Sequence, residues 1–477
     1  MKHPISPDPT CGNTAHFLTR RDALRGIAGG FGWLALAGLA ARTAPAAPAG
    51  AAAAVGDSPL APKVPHFAPR AKRVIFLCMR GGPSHVDTFD YKPDLATAAA
   101  AGKAGQRPGT KLMAPPWAFK PRGQSGLWIS DLFPEVARHA DKLCLLRSMQ
   151  TDVPAHPQAF LRLHTGSSQF VRPSLGAWSL YGLGTANENL PGFITLTPPA
   201  GFGGAQNYGS SFLPAIYQGT RIGSDNRPIE SATIRNLAPR GKPSAQRKEV
   251  DLIQALNRRQ LAKDPQNKDI EGVIESYELA FKMQSELPVA MDLDTESEAT
   301  RTLYGLGNAE TEDFGRKCLL ARRFLDAGVR FVEISHGNWD HHFNLTASLE
   351  RSCAAVDAPI AGLLADLAQR DMLRDTLVVW SGEFGRTPHS QGSDGRDHNN
   401  KGFTAWMAGG GVRGGFSYGA TDDLGYAAAD QPMSIHDFHA TILHLLGLDH
   451  ERLTFNYAGR DFRLTDVHGK VAKEILA

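Results

Sequence analysis

Short continuous apolar runs alternate along the chain with segments whose apolar residues recur at three- and four-residue intervals. Arg73–Met79, bounded by Gly81-Gly82-Pro83, reads as a strand buried on both faces, and Lys142–Leu146, Phe193–Leu196, Val329–Ile334, Thr376–Ser381 and Thr404–Ala408 have the same character. Between the later runs lie helical patterns with stop and start signals. Glu312–Ala327 ends at Gly328, and Ile360, Leu363, Leu364 and Leu367 form one apolar stripe. A further helix starts at Ser434, with Asp437 in capping-box position, and stops at Gly447. This alternation predicts an α/β fold with a mostly parallel central sheet and helices on both faces. From about 201 to 300 the pattern changes to glycine-rich loop sequence and then charged helices over Ser244–Ala262 and Ile270–Leu287, which reads as a helical insertion.

The polar residues are not scattered evenly. Four groups rich in carboxylates and imidazoles border predicted strands, and in sheets of this kind sites form beyond the carboxyl ends of strands. Arg73–Met79 runs into Ser84, His85, Asp87 and Asp90; Val329–Ile334 runs into His336, Asp340, His341 and His342; Thr376–Ser381 runs into Glu383 and Arg386; and Asp397-His398 precedes Thr404–Ala408. Mixtures of Asp, Glu and His suit zinc, manganese or iron, whereas calcium prefers oxygen alone. Taken together the groups predict a site for one or two divalent transition-metal ions, zinc or manganese first among them. Trp339 reads as a packing residue, and Arg386 either touches substrate or pairs with a neighbouring carboxylate. His436, His439 and His444 lie on a helix whose Ile435, Phe438 and Ile442 make it a packing helix first.

Composition narrows the function classes. The 477 residues carry a net charge of only +3, without the basic excess of a nucleic-acid binder. Even that excess is local, since residues 1–46 hold Lys2, Arg20, Arg21, Arg25 and Arg42 against Asp8 and Asp22, and the remainder is neutral. The Arg20-Arg21 pair precedes a weakly apolar run, Gly26 to Ala41, which is too short for a membrane span, and small-residue cleavage sites follow near Ala44–Ala49. These features predict a twin-arginine signal peptide over 1–47 and a linker over 48–70. They imply export by the twin-arginine translocase to a periplasmic or envelope location, with no integral span in the mature chain. Apart from Cys11 in the leader, the cysteines 78, 144, 318 and 353 show no CxxC spacing and read as core thiols, with disulfides left open.

The stretches GGPSHVDTFDYKP, GNWDHHFN, SGEFGRTP and GRDHNNKGFTAWMAGGGVRGG, with the twin-arginine leader, resemble the bacterial domain of unknown function 1501 family, which is placed in the alkaline phosphatase/sulfatase-like superfamily. The resemblance spans nearly all of the mature chain, residues 71–477, and implies an alkaline-phosphatase-like sheet. It also implies roles. Glu383 takes the place of a metal Asp and Phe384 that of the adjoining His, His398 matches a following histidine ligand, and Asp340 with His342 matches an earlier metal motif. Counting back from Thr165-Gly166 puts His156 in the slot of the superfamily's nucleophile, where it cannot become the formylglycine of a sulfatase. A histidine there is a metal ligand, a general acid or base, or a phosphohistidine-forming nucleophile; Ser84 and Thr151 are substitute nucleophile candidates. The first strand ends in Met79-Arg80 instead of a metal Asp, which leaves Asp87 or His85 to serve from the loop.

The expectation is an exported metal-dependent hydrolase of phosphate or sulfate esters, on a small-molecule or polysaccharide substrate. Asp87, Asp340, His342, Glu383 and His398 are the leading ligands, with His85 and Asp397 as further candidates, and His156, Ser84 and Arg386 are the catalytic ones. The rival is a catalytically degenerate metal-binding or scaffold protein, which the altered nucleophile slot favours.

Overall fold

The computed structural model describes residues 58–232, 237, 241–264 and 268–477; the expected signal peptide and most of the linker lie outside the described residues. A nine-stranded sheet forms the centre. In chain order its strands are β1 (Arg73–Met79), β2 (Leu143–Gln150), β3 (Phe193–Leu196), β4 (Thr220–Ile222), β5 (Phe331–His336), β6 (Thr376–Ser381), β7 (Phe403–Ala408), β8 (Phe416–Tyr418) and β9 (Met433–Ser434). Across the sheet they run β8-β2-β7-β6-β1-β5-β3-β4, with β9 also paired to β2. Six of the apolar runs are thus strands. Only β7 breaks the parallel arrangement, lying antiparallel to both β2 and β6.

Alternation along β1 divides the interior in two. Ile75, Leu77 and Met79 point to a core completed by the helices Glu312–Asp326 and Leu345–Gln369 through Phe324, Leu349 and Leu363. Val74, Phe76 and Cys78 point to the other face, where the helices His156–Thr165, Leu175–Leu183 and Ile435–Leu445 supply Phe160, Trp178 and Phe438. Burial on both faces is why β1 carries no polar residue between Arg73 at its start and Arg80 just past its end. The helix Ile435–Leu445 has the expected capping box between Ser434 and Asp437. Cys78, Cys144, Cys318 and Cys353 are buried and free.

In the segment 201–300 the helices Pro243–Leu261 and Lys268–Met291 pack together, with Gln254 Nε2 donating to the Ile274 carbonyl at 2.7 Å. The segment is not wholly helical, because β4 extends the sheet beside β3. Three residues with one fully buried side chain give too short a signal for periodicity to register. No helix among the described residues is long and apolar enough to cross a membrane.

Strand direction decides where the polar groups meet. β6, β1 and β5 are parallel neighbours, with Cys78 beside both Ser335 and Ser381 and Met79 beside His336, so the loops after all three leave one edge. β2 points the same way as β6 because antiparallel β7 lies between them, so the turn from Gln150 to His156 leaves that edge too. The reversal of β7 also brings the residues preceding it, including Asp397-His398, to this edge.

Candidate metal centre

His156, Asp340, His342 and His398 each contribute one donor atom to a group in which all donors lie within 4.8 Å of one another. Around Asp340 Oδ1 stand His342 Nε2 at 2.9 Å, His156 Nε2 at 3.2 Å and His398 Nε2 at 3.3 Å. His342 Nε2 and His398 Nε2 are 2.9 Å apart. Each imidazole turns its other nitrogen to an oxygen acceptor. His156 Nδ1 donates to Glu383 Oε1 at 2.6 Å, His342 Nδ1 to Gln391 Oε1 at 2.5 Å, and His398 Nδ1 to the Pro154 carbonyl at 2.7 Å. An acceptor at Nδ1 holds the proton there and leaves Nε2 with its lone pair, the tautomer that ligates metal.

The convergence leaves one buried polar atom unpaired. His156 Nε2 is buried and makes no hydrogen bond of acceptable geometry, which leaves its lone pair free for an ion or a water. Three imidazole nitrogens and a carboxylate oxygen at such separations fit zinc or manganese. Calcium, which takes six to eight oxygens, does not fit.

Glu383 and Arg386 stand behind this group. The buried Glu383 carboxylate accepts the Gly81 N–H at 3.0 and 3.1 Å on its two oxygens and the His156 Nδ1–H on one of them. Arg386, without solvent exposure, donates to Asp340 Oδ1 at 2.5 Å and to the carbonyls of Gly81, Gly82 and Arg396. Burial acts to raise the Asp340 pKa, but His156, His398 and Arg386 outweigh it and hold the carboxyl far below the usual carboxylate range. For His156, burial acts downward, yet Asp340 and Glu383 win and the net direction is upward.

Gly81 makes the assembly sterically feasible. Its φ is +117°, and a Cβ there would lie 2.6 Å from the Asp340 backbone nitrogen. Phe384 packs on both His156 and His398, with ring centroids 4.7 and 4.6 Å away, and Phe202 closes on His156 at 5.3 Å.

The remaining residues singled out in the sequence have other partners. Asp87 is fully buried in a two-pronged pair with Arg396, at 2.7 and 3.0 Å, and accepts the Ser84 hydroxyl at 2.5 Å. Ser84 is therefore tied to Asp87. His85 places Nε2 on the Gly425 carbonyl at 2.9 Å, and burial pulls its pKa down. Asp397 pairs with Arg107 at 2.8 Å and accepts the His398 backbone N–H at 2.8 Å, so it steadies His398 without joining the group. Arg386 pairs with a carboxylate and is too deep to touch substrate. Gln391, the Pro154 carbonyl and Phe202 are the participants that sequence reasoning missed; Gln391 lies in the turn between Gly385–Ser390 and Arg396–Asn399, where nothing in the pattern marks it. Trp339 is fully buried, as a packing residue should be.

Fold and site define an α/β protein with an imidazole–carboxylate cluster at the edge where its parallel strands end. Residues 71–476 match the family model described as "Protein of unknown function (DUF1501)", and the chain belongs to that family. No curated protein matches it significantly. Among solved structures it is similar to a sulfatase from Pseudoalteromonas sp., at 13% identity over 80% of this chain and 69% of that one with a TM-score of 0.34. It is similar to the alkaline phosphatase of the Antarctic bacterium TAB5, at 10% identity over 80% and 99% with a TM-score of 0.34. It is also similar to a lipoteichoic acid synthase from Listeria monocytogenes, at 9% identity over 84% and 76% with a TM-score of 0.35.

Proposed function

We propose that this protein is an exported, metal-dependent hydrolase of phosphate or sulfate esters, with His156, Asp340, His342 and His398 as its ligand set. The observation that carries the reading is the convergence of three Nε2 atoms on Asp340 Oδ1, each ring held by an oxygen acceptor at Nδ1. The ester class and the alkaline-phosphatase-like relation come from the motif resemblance and share its footing. Export through the twin-arginine translocase rests on the Arg20-Arg21 leader.

A divalent zinc or manganese ion at such a site neutralises charge on a transferring group and lowers the pKa of water. The protein's own residues do the rest. Glu383 fixes the His156 tautomer, Gln391 and Pro154 fix those of His342 and His398, and Phe384 and Phe202 pack on the His156 ring, Phe384 also on His398. Asp340, whose side chain is 42% exposed, marks the side from which a substrate approaches. Ser84 is bound to Asp87, and Thr151 Oγ1 faces Asp152 at 3.4 Å, so water is the expected nucleophile.

One observation favours the second reading, a metal-holding scaffold without turnover. Four protein donors already complete the shell of a closed structural zinc site, whereas catalytic sites keep one position open. The full-length protein, loaded with zinc or manganese, is assayed on aryl phosphate, phosphodiester and aryl sulfate substrates beside His398→Ala. Turnover lost in the variant supports the hydrolase. Absence of turnover, with metal bound and raising the melting temperature, supports the scaffold.

A further inference from the structure

Resting on the reading that the cluster holds metal, we propose that it takes a single ion per chain, with the Arg386 guanidinium fixed where a second cation would otherwise stand.

Two observations lead there. The first concerns donors. A pair of adjacent ions about 3.5–4 Å apart needs roughly six to eight protein ligands, and the described residues bring four to one place. The other groups bordering the strands are engaged. Glu383 accepts Gly81 N–H on both oxygens and His156 on one; Asp87 has Arg396 on both oxygens; Asp397 has Arg107 on one and the His398 N–H on the other. To free Asp87 for a second ion would strip the buried Arg396 of its counter-charge, and to free Glu383 would release His156 of the first site; Asp397, paired to the exposed Arg107, stands outside the group.

The second concerns Arg386. Its guanidinium donates to Asp340 Oδ1 at 2.5 Å, the same oxygen on which the three imidazoles converge. It cannot swing aside, because Nε is held by the Gly82 carbonyl at 2.9 Å, one terminal nitrogen by Arg396 at 3.2 Å, and the other by Gly81. Those carbonyls belong to the loop after β1 and to the strand Arg396–Asn399, so the charge is pinned from two elements. An arginine does not lose its proton near neutral pH. A second dication at Asp340 would meet a permanent like charge at contact distance. Arg386 has no solvent exposure, so it acts through Asp340 as a positioning and charge-setting residue.

The test is a count. Metal-free full-length protein is titrated with Zn²⁺ or Co²⁺, followed by elemental analysis after gel filtration and, for cobalt, by its visible absorption. One equivalent per chain is expected. Two tight equivalents, both lost in Asp340→Asn, overturn the inference while leaving the metal reading intact; none overturns the metal reading and the inference with it. Arg386→Met and Arg386→Lys, each checked for folding by circular dichroism, separate charge from scaffolding. With the like charge removed, Arg386→Met is expected to bind the ion at least about tenfold more tightly, with Arg386→Lys within a few-fold of wild type. Weaker or unchanged binding in a folded Arg386→Met contradicts the assigned role. If Arg386→Met does not fold, the wild-type count and Arg386→Lys decide.

Discussion

Two acidic side chains near the same edge of the sheet carry similar sequence signals and have opposite surroundings. Asp87 and Asp340 each follow a buried strand, each has a histidine nearby in the chain, and each meets an arginine from the region after β6. Arg396 takes both oxygens of Asp87 in a pocket without solvent exposure, and the Ser84 hydroxyl completes the shell. At Asp340 Arg386 takes Oδ1, and three imidazole nitrogens crowd the same oxygen without a full set of protons to share. What separates the candidate metal centre from a structural ion pair here is therefore the lone pairs left over, not the residue types.

That contrast is sharpest under substitution. His398→Ala or Asp340→Ala is expected to cut metal affinity more than about a hundredfold, beyond the 10- to 100-fold typical of outer-shell changes, read by elemental analysis of the purified protein. Asp87→Ala is expected to do the reverse, keeping the metal while costing about 3–5 kcal/mol of stability, because it leaves the Arg396 charge buried and unpaired. Urea denaturation with metal analysis of the same samples reads both. Loss of metal on replacing Asp87, with stability unchanged, would break the comparison.

Glu383→Gln probes the layer behind the ligands. It keeps the shape but removes the charge that fixes the His156 tautomer, so metal affinity is expected to fall about 10- to 100-fold. A smaller effect follows from pH. A histidine must be neutral to ligate, and the His156 pKa is raised, so protons compete with metal from a higher pH than for an ordinary imidazole. Affinity is therefore expected to fall between pH 8 and pH 6, by at most about tenfold per pH unit for each histidine that must lose a proton. Isothermal titration at several pH values measures this.

Smallest is an effect on the scaffold. His439 is fully buried against the Leu163 carbonyl, and burial pulls its pKa down to about 3. Its folded pKa lies below that of an unfolded histidine, so its contribution is present above about pH 6.5 and is lost as pH falls toward 3. Urea midpoints are expected to drop from pH 7 to pH 5, less steeply in His439→Gln.

How much of this was legible in the sequence follows from what each signal encodes. Phe193–Leu196 and Thr376–Ser381 match their strands residue for residue, because continuous apolar runs report burial on both faces. Such runs say nothing of direction, so the reversal of β7, which brings His398 to the site, was not legible. Asp340, His342 and His398 were nameable from motif and strand end, and His156 from its spacing to Thr165-Gly166. Gln391 and the Pro154 carbonyl were invisible, since they act by position alone: one is an ordinary amide in a turn, the other a backbone oxygen. Glu383 and Asp397 were read as metal ligands, and neither joins the group, because the choice between ligand and supporting group depends on which way each carboxylate turns.

Binding at one place is most directly tested by locating the ion. A crystal of the full-length protein grown with zinc, with data collected on both sides of the zinc absorption edge, is expected to show one anomalous peak per chain among His156, Asp340, His342 and His398. No peak there, or a peak beside Asp87 and His85 instead, would contradict the account.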